Sequence, residues 1–332
     1  MPITWRPATW SDIEPGLSIQ PKYRGDALVG VQAALEAWKI LIRGRFFKSG
    51  VFESSSLPRS NRMVGFGASV LVSSDFADVE LANPRPDINS RVMASIHSGR
   101  SVLATPHEVA RANSRDGVNV LSLCGTWRHE ILSPLDLQDT QTLMVSGFVE
   151  VHAGYRIRRI FQETAAEPER GFVRRSTEFR LVADFPEAGR ELFLMTRESV
   201  QGLPGSLGNV LFRFREPVLR LRDSDQQLLL AALRGATDQE LASGLGFTLS
   251  AVKARWRATI ARVEEAMPDL VRDVINHEGR GAQKRHRVLA YVRIHPEELR
   301  PFDWARKTLH KQSYGNRPAG IVAQEGIGPT AG

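Results

Sequence analysis

The chain has a single cysteine, Cys124, among its 332 residues. No disulfide can close within it and no multi-cysteine zinc site can form, which fits a reducing compartment. No apolar run approaches the ~20 residues of a membrane helix. The first residues, MPITWRPATWSDIEPG, lack the basic-then-apolar order of a secretory signal, so the expected location is the cytoplasm, with no membrane partner. A phosphate-binding loop is missing too. Gly65 and Gly67 form a Gly-x-Gly, but Val70 stands where a dinucleotide loop places its third glycine and a strand follows, so a tight turn or close strand packing is expected and no cofactor is assigned.

What is present describes a folded chain. Apolar residues make up 42% and charged residues 24%, close to globular averages. At ~150 residues per domain the length allows two domains. The charge is unevenly placed. Residues 1–212 carry 24 Lys and Arg against 23 Asp and Glu, and the remainder carries 20 against 14 of the net +7. A basic last third suggests a polyanionic partner, because clustered cations displace the counterions of a phosphate backbone.

Periodicity predicts a helix over Asp26 to Phe47, with Leu28, Val31, Leu35, Trp38, Leu41 and Ile42 on one face, and a second over Gln138 to Gln162. Buried strands are expected at Val64 to Ser73 and Gly117 to Thr126. Two more are expected at Phe193 to Thr196 and Asn209 to Phe214, around the turn signals of QGLPGSLG. Strand signals then stop, and residues 221–267 divide into three helices. Asp223 or Ser224 caps the first, Gly235 ends it, Thr237 with Glu240 forms a capping box for the second, Gly246 ends that, and Thr248 caps a third whose buried stripe is Val252, Trp256, Thr259, Ile260 and Val263. Two helices across a glycine turn form a helix-turn-helix. The third helix leaves Ser250, Lys253, Ala254 and Arg257 on its exposed face with Arg255 and Arg262 beside them. That slim, basic face suits the major groove, although an ordinary solvated helix face has the same pattern.

The residues Leu221, Asp225, Leu228, Leu229, Gly235, Thr237, Glu240, Leu241, Ala242, Leu245, Gly246, Phe247, Thr248, Ala251, Val252 and Lys253 make this stretch, about a seventh of the chain, resemble the C-terminal DNA-binding domain of LuxR/FixJ-type bacterial transcription regulators. By that resemblance Lys253, Ala254 and Arg257 face bases, while Thr248, Ser250 and Arg255 meet phosphate. Arg222, Gln227 and Ala251 depart from the family pattern. The sigma-factor helix-turn-helix is similar enough to stay open. Residues 268–275 supply a candidate dimer-supporting helix, and Arg280, Lys284, Arg285, His286 and Arg287 form either an added phosphate clamp or a solvated helix face.

The expected fold class is therefore α+β: an N-terminal α/β sensor-like domain with a helix-covered sheet (1–215), an all-α LuxR-type helix-turn-helix domain (216–276), a basic helical extension (277–311) and a disordered tail (312–332). The expected function is a transcription regulator binding duplex DNA as a homodimer, more an interaction protein than an enzyme, with a possible small-molecule ligand among Trp127, Phe148 and Tyr155. No catalytic residue is assigned. Cys124 reads as a small buried apolar residue despite a histidine at His152, and His97 and His107 have no metal spacing. A second reading stays open: a small-molecule enzyme, for example an acyltransferase, with an appended helical module that binds DNA or protein.

Overall fold

A computed structural model describes residues 2–100, 102–165, 167–176, 178–201, 205–271 and 280–304. The tail 312–332 and parts of the expected fourth helix and basic extension lie outside the described residues.

One seven-stranded sheet organises the first two-thirds: β1 (Ile3–Pro7), β2 (Phe47–Ser54), β3 (Met63–Val72), β4 (Val118–Trp127), β5 (Ile157–Thr164), β6 (Arg180–Phe185) and β7 (Arg190–Thr196), in the spatial order β1-β2-β3-β4-β5-β7-β6. Every neighbour is antiparallel except β4 with β5. β3 and β4 are buried along almost their whole length, as central strands covered on both faces must be. A parallel neighbour needs a long crossover, and α6 (Pro134–His152) supplies it. Ser133 accepts from Asp136 N at the start of α6, with Pro134 preset for its first turn.

The face opposite α6 carries α1 (Ile13–Ile19), α2 (Val31–Arg43), α3 (Ser74–Ala82) and α4 (Ile88–His97). Leu17, Trp38, Leu41, Val92 and Met93 there close on Phe66, Leu121 and Phe161 of the sheet. On the α6 face, α5 (Pro106–Ser114), α8 (Arg197–Val200) and α9 (Leu207–Leu211) bury Val109, Val200 and Leu211 against Leu71, Val120 and Ile160, and α7 (Glu169–Ser176) follows β5.

Several expected elements differ. The helix expected over Gln138 to Gln162 ends at His152, and Ile157 onward is β5. Asn209 to Phe214, expected as a strand, contributes to the short α9 instead. Gly65 and Gly67 lie within β3 and form no turn, while the close-packing alternative holds at Gly65, where a β-carbon would sit 3.2 Å from the Thr126 carbonyl oxygen. The sensor-like sheet is corrected to a mixed sheet with one parallel pair, and that pair opens onto a cavity described below.

Beyond residue 216 the described chain is helical: α10 (Asp223–Leu233), α11 (Asp238–Leu245), α12 (Leu249–Ala266), α13 (Pro268–Val271) and α14 (Arg280–Ile294). The Thr237–Glu240 capping box is formed, α11 ends at Gly246, and Thr248 accepts from Ala251 N at the start of α12. Leu228, Leu229, Leu241, Val252, Trp256 and Val263 build a second core that also takes Val288, Val292 and Leu299. The basic α14 thus packs into the same core as the three preceding helices.

Candidate active site

β4 and β5 pair from Val118↔Ile157 to Ser122↔Gln162, whereas β4 runs on to Trp127 and β5 to Thr164. Past Ser122 the two strands no longer serve each other as ladder partners. A cavity of about 350 Å³ opens there on the α6 face, lined by Cys124, Gly125, Trp127 and Gln162 of the two strands, by Glu169 of α7 and by Met144, Gly147 and Phe148 of α6. Apolar walls with a few convergent polar groups are the usual make-up of a ligand site.

A polar row crosses its floor. Lys48 of β2 pairs with Ser69 of β3, Ser69 with Ser122 of β4, and Ser122 with Gln162 of β5, and all four line the cavity. His152, at the last turn of α6, meets this row: its Nδ1–H donates to the Phe148 carbonyl at 2.8 Å, so Nε2 accepts from the Ser69 hydroxyl at 3.1 Å. Burial pulls the His152 imidazole down to about 3, and the positive Lys48 and Arg300 act in the same direction. So weak a base takes a serine proton poorly, and the pair positions Ser69 without activating it as a nucleophile. Burial also pulls the Lys48 ammonium down to about 8, helped by Arg300, Arg234 and Arg45.

Two residues that line the cavity carry a buried polar atom with no hydrogen-bond partner among the described residues, Trp127 at Nε1 and Glu169 at Oε2. Native interiors leave few such atoms unpaired, so the pair calls for a ligand. Glu169 is 1% exposed, and burial pushes its carboxyl up from the ordinary range. Glu163 is also pushed up by burial, to about 7, but it accepts from Ile88 N at the start of α4 on the opposite face and does not line the cavity. Cys124 lines the cavity with a thiol that burial drives upward, so it stays protonated.

The residues expected to contact DNA lie elsewhere. Thr248, Ser250, Lys253, Ala254 and Arg257 are exposed along the start of α12. Arg255 is half-buried and stacks on Phe247 at 4.3 Å. Arg262, expected beside that face, is bound to buried Asp225 at 2.9 Å, and of the possible phosphate clamp Lys284 is bound to Glu264 at 3.4 Å and Arg285 to Asp238 at 3.1 Å while covering Trp256. His97 and His107 end one helix and begin another, and no metal-binding cluster exists among the described residues. Of the aromatic residues expected around a ligand, Trp127 and Phe148 line the cavity and Tyr155 does not. Sequence reasoning missed Glu169, Lys48 and Ser69. For Lys48 and Ser69 the only signal, polar residues at strand positions in register, depends on the pairing, and Glu169, the first residue of α7, has none.

No family model and no curated protein matches the chain. Among solved structures it is similar to FeeM, an N-acyl amino acid synthase from uncultured soil microbes, with 11% identity and a TM-score of 0.34 over 59% of this chain and 91% of that one. Arabidopsis thaliana NAA60 in complex with acetyl-CoA gives 16% identity and 0.34 over 59% and 99%. An acetyltransferase from Thermus thermophilus gives 12% identity and 0.30 over 59% and 97%. Likeness at this level assigns no residue a role.

These findings correct the functional expectation. Of the three structures named above, two are named for acyl transfer and the third is bound to acetyl-CoA, and none is named as a regulator or as bound to duplex DNA. The transcription-regulator reading, duplex DNA as partner, the half-site pairing that called for a homodimer, and the expectation that the chain is not an enzyme are withdrawn. Part of the reason lies in the charges: Arg255, Arg262, Lys284 and Arg285 are committed to Phe247, Asp225, Glu264 and Asp238 within the helical unit, while Lys253 and Arg257 stay exposed. Among the described residues no helix is long and apolar enough to cross a membrane.

Proposed function

We propose that the chain is an acyltransferase that moves an acyl group from a thioester to an amine in the cavity where β4 and β5 part. The observation that carries this reading is the meeting, in one buried site, of an apolar slot, unpaired hydrogen-bonding atoms and a raised carboxyl. Attack of a neutral amine on a thioester carbonyl builds negative charge on oxygen and positive charge on nitrogen, and a thiol leaves. Donors held in a dry site stabilise the oxygen. Trp127 Nε1–H is one such donor, and the edge of β4 freed from β5 supplies backbone groups beside it. Glu169 takes the proton from the attacking amine, which a carboxyl pushed toward neutrality does best. Transfer is direct, because neither Cys124 nor Ser69 is activated as a nucleophile. Two of the similar structures are named for this chemistry, as an N-acyl amino acid synthase and as an acetyltransferase, and a third holds acetyl-CoA.

The single buried Cys124 fits a reaction inside the cell. The helical unit beginning near residue 216 is read as an accessory module whose likeness to the LuxR/FixJ-type domain is one of helix arrangement.

The test is thiol release by the full-length chain from acyl thioesters in the presence of an amine pool, followed with a thiol reagent. Glu169→Gln keeps the side-chain shape and is expected to lower kcat on the order of 10²-fold or more, with an unchanged circular dichroism spectrum. Absence of thiol release above the protein-free blank, with every donor tried, overturns the reading.

A further inference from the structure

Next to the polar row lies a second one. Gly50 of β2 pairs with Gly67 of β3, and Gly67 pairs with Gly125 of β4, so three glycines stand side by side across three strands, all lining the cavity. None has the positive φ that only glycine tolerates well. Glycine inside a strand weakens the sheet, so each needs a reason in what approaches it: Trp5 fills the place of a Gly50 side chain, Met144 Sδ would lie 3.3 Å from a β-carbon on Gly125, and at Gly67 the space is left open. What the row provides is a floor without side chains, about 10 Å from Gly125 to Gly50 at ordinary strand spacing.

The floor is bare at its centre and walled at its end. A β-carbon on Gly67 would meet only the Cys124 carbonyl at 3.8 Å and Phe52 at 4.0 Å, ordinary contacts that leave it projecting into open space. A β-carbon on Gly50 would strike the Trp5 indole nitrogen at 2.2 Å, and one on Gly147 of α6 would lie 3.1 Å from the same atom. Trp5 therefore stands between sheet and α6 and closes the furrow. Trp127, two residues on from Gly125 along β4, and Glu169 line the same cavity, are 2% and 1% exposed, and carry in Nε1 and Oε2 polar atoms without a partner among the described residues.

We propose that this glycine row is a furrow for an unbranched aliphatic chain, with Gly67 and Trp5 setting the chain length the protein accepts. The inference rests on the acyl-transfer reading and names its substrate class: straight-chain acyl groups, with the carbonyl held beside Trp127 and Glu169 and the methyl end directed at Trp5.

Binding separates the two claims. Straight-chain carboxylates from butyrate to palmitate are titrated calorimetrically into the full-length protein. Affinity is expected to rise about fourfold per added methylene until the chain meets Trp5, then to level off. Gly67→Leu should move the levelling-off to shorter chains, and Trp5→Ala should move it to longer ones. Gly67→Ala, for which the space already exists, gives a smaller shift in the direction of Gly67→Leu and serves if the leucine variant does not fold. A profile without chain-length dependence, or one unchanged in Trp5→Ala and in the folded Gly67 variants, overturns the furrow. Chain binding with no thiol release from any thioester keeps the furrow and removes the acyl-transfer reading. Thiol release from short-chain thioesters without chain binding does the reverse.

Discussion

Buried ionisable residues on the two faces of the sheet make the stability of the protein depend on pH in opposing ways. His152 has a folded value of about 3 against 6.5 when free. Between those values the unfolded chain holds the extra proton, so stability rises with pH and is lost on acidification. Glu163 has a folded value of about 7 against 4.5. Between those values the folded chain holds the extra proton, so stability falls as pH rises. The two slopes oppose each other from about pH 5 to 6.5, and Glu169 and Glu298, also raised by burial, act with Glu163. Glu163→Gln retains an acceptor for Ile88 N and removes one falling slope. Its stability should then drop more steeply on acidification than that of the native protein, the two slopes differing by at most about 1.4 kcal/mol per pH unit for the one proton removed. A pH profile parallel to that of the native protein would show that the two groups are not opposed.

Elements were legible where local chemistry decides them and illegible where pairing does. Thr237, Glu240 and Gly246 set the bounds of α11 from within a dozen residues, and the structure has those bounds. β5 was hidden because Arg158, Arg159 and Gln162 interrupt its apolar residues, while Ile157, Ile160 and Phe161 continue a helical rhythm out of α6. Its strand state comes from β4 on one side and β7 on the other. The cavity was illegible for the same reason, since Lys48, Ser69, Ser122 and Gln162 are far apart in the chain and adjacent only in register. In the helical unit Asp225 shows how an acidic residue on an otherwise ordinary helix can be structural. Its side chain is buried and accepts from Thr259 Oγ1 at 2.8 Å, Arg262 Nε at 2.9 Å and Arg222 N at 2.9 Å, tying α10 to α12. Asp225→Ala leaves Arg262 and Thr259 without that acceptor and is expected to cost about 3 to 5 kcal/mol, read as a lower denaturant midpoint of the helical signal. A loss below about 1 kcal/mol would mean the network contributes little.

At the scale of the whole molecule, the net charge proved a poor guide to a partner because a formal count does not record which cations are already paired. Arg262, Lys284 and Arg285 contribute to the excess of the last third, yet each faces a carboxylate of its own unit. Other cations join the two parts of the chain. Arg300 is buried, donates from Nε to the Ala153 carbonyl at 2.8 Å and lies over the Tyr155 ring at 4.7 Å. Gln226 of α10 donates to the Arg300 carbonyl at 2.7 Å, Asn113 of α5 donates to that of Pro301 at 3.0 Å, and Arg45 pairs with Asp223. The junction thus grips the chain where it leaves α6, the helix that roofs the cavity.

Gly154, in that turn, fits the junction twice over. Its φ is +84°, and a β-carbon there would sit 2.4 Å from Glu297 N and 2.5 Å from the Pro296 carbonyl carbon. Gly189 has a φ of +61° and nothing within 4 Å of the same position. Alanine at Gly189 therefore incurs only the left-handed backbone strain, about 1 to 2 kcal/mol. Alanine at Gly154 incurs that strain and must also push the 296–297 backbone away from the end of α6. The expected result is a larger fall in stability for Gly154→Ala than for Gly189→Ala by about 1 kcal/mol or more, together with separation of calorimetric unfolding into two transitions as the helical unit loses its hold. Equal losses in the two variants, with one transition in each, would show that the close packing at Gly154 does not hold the two parts of the molecule together.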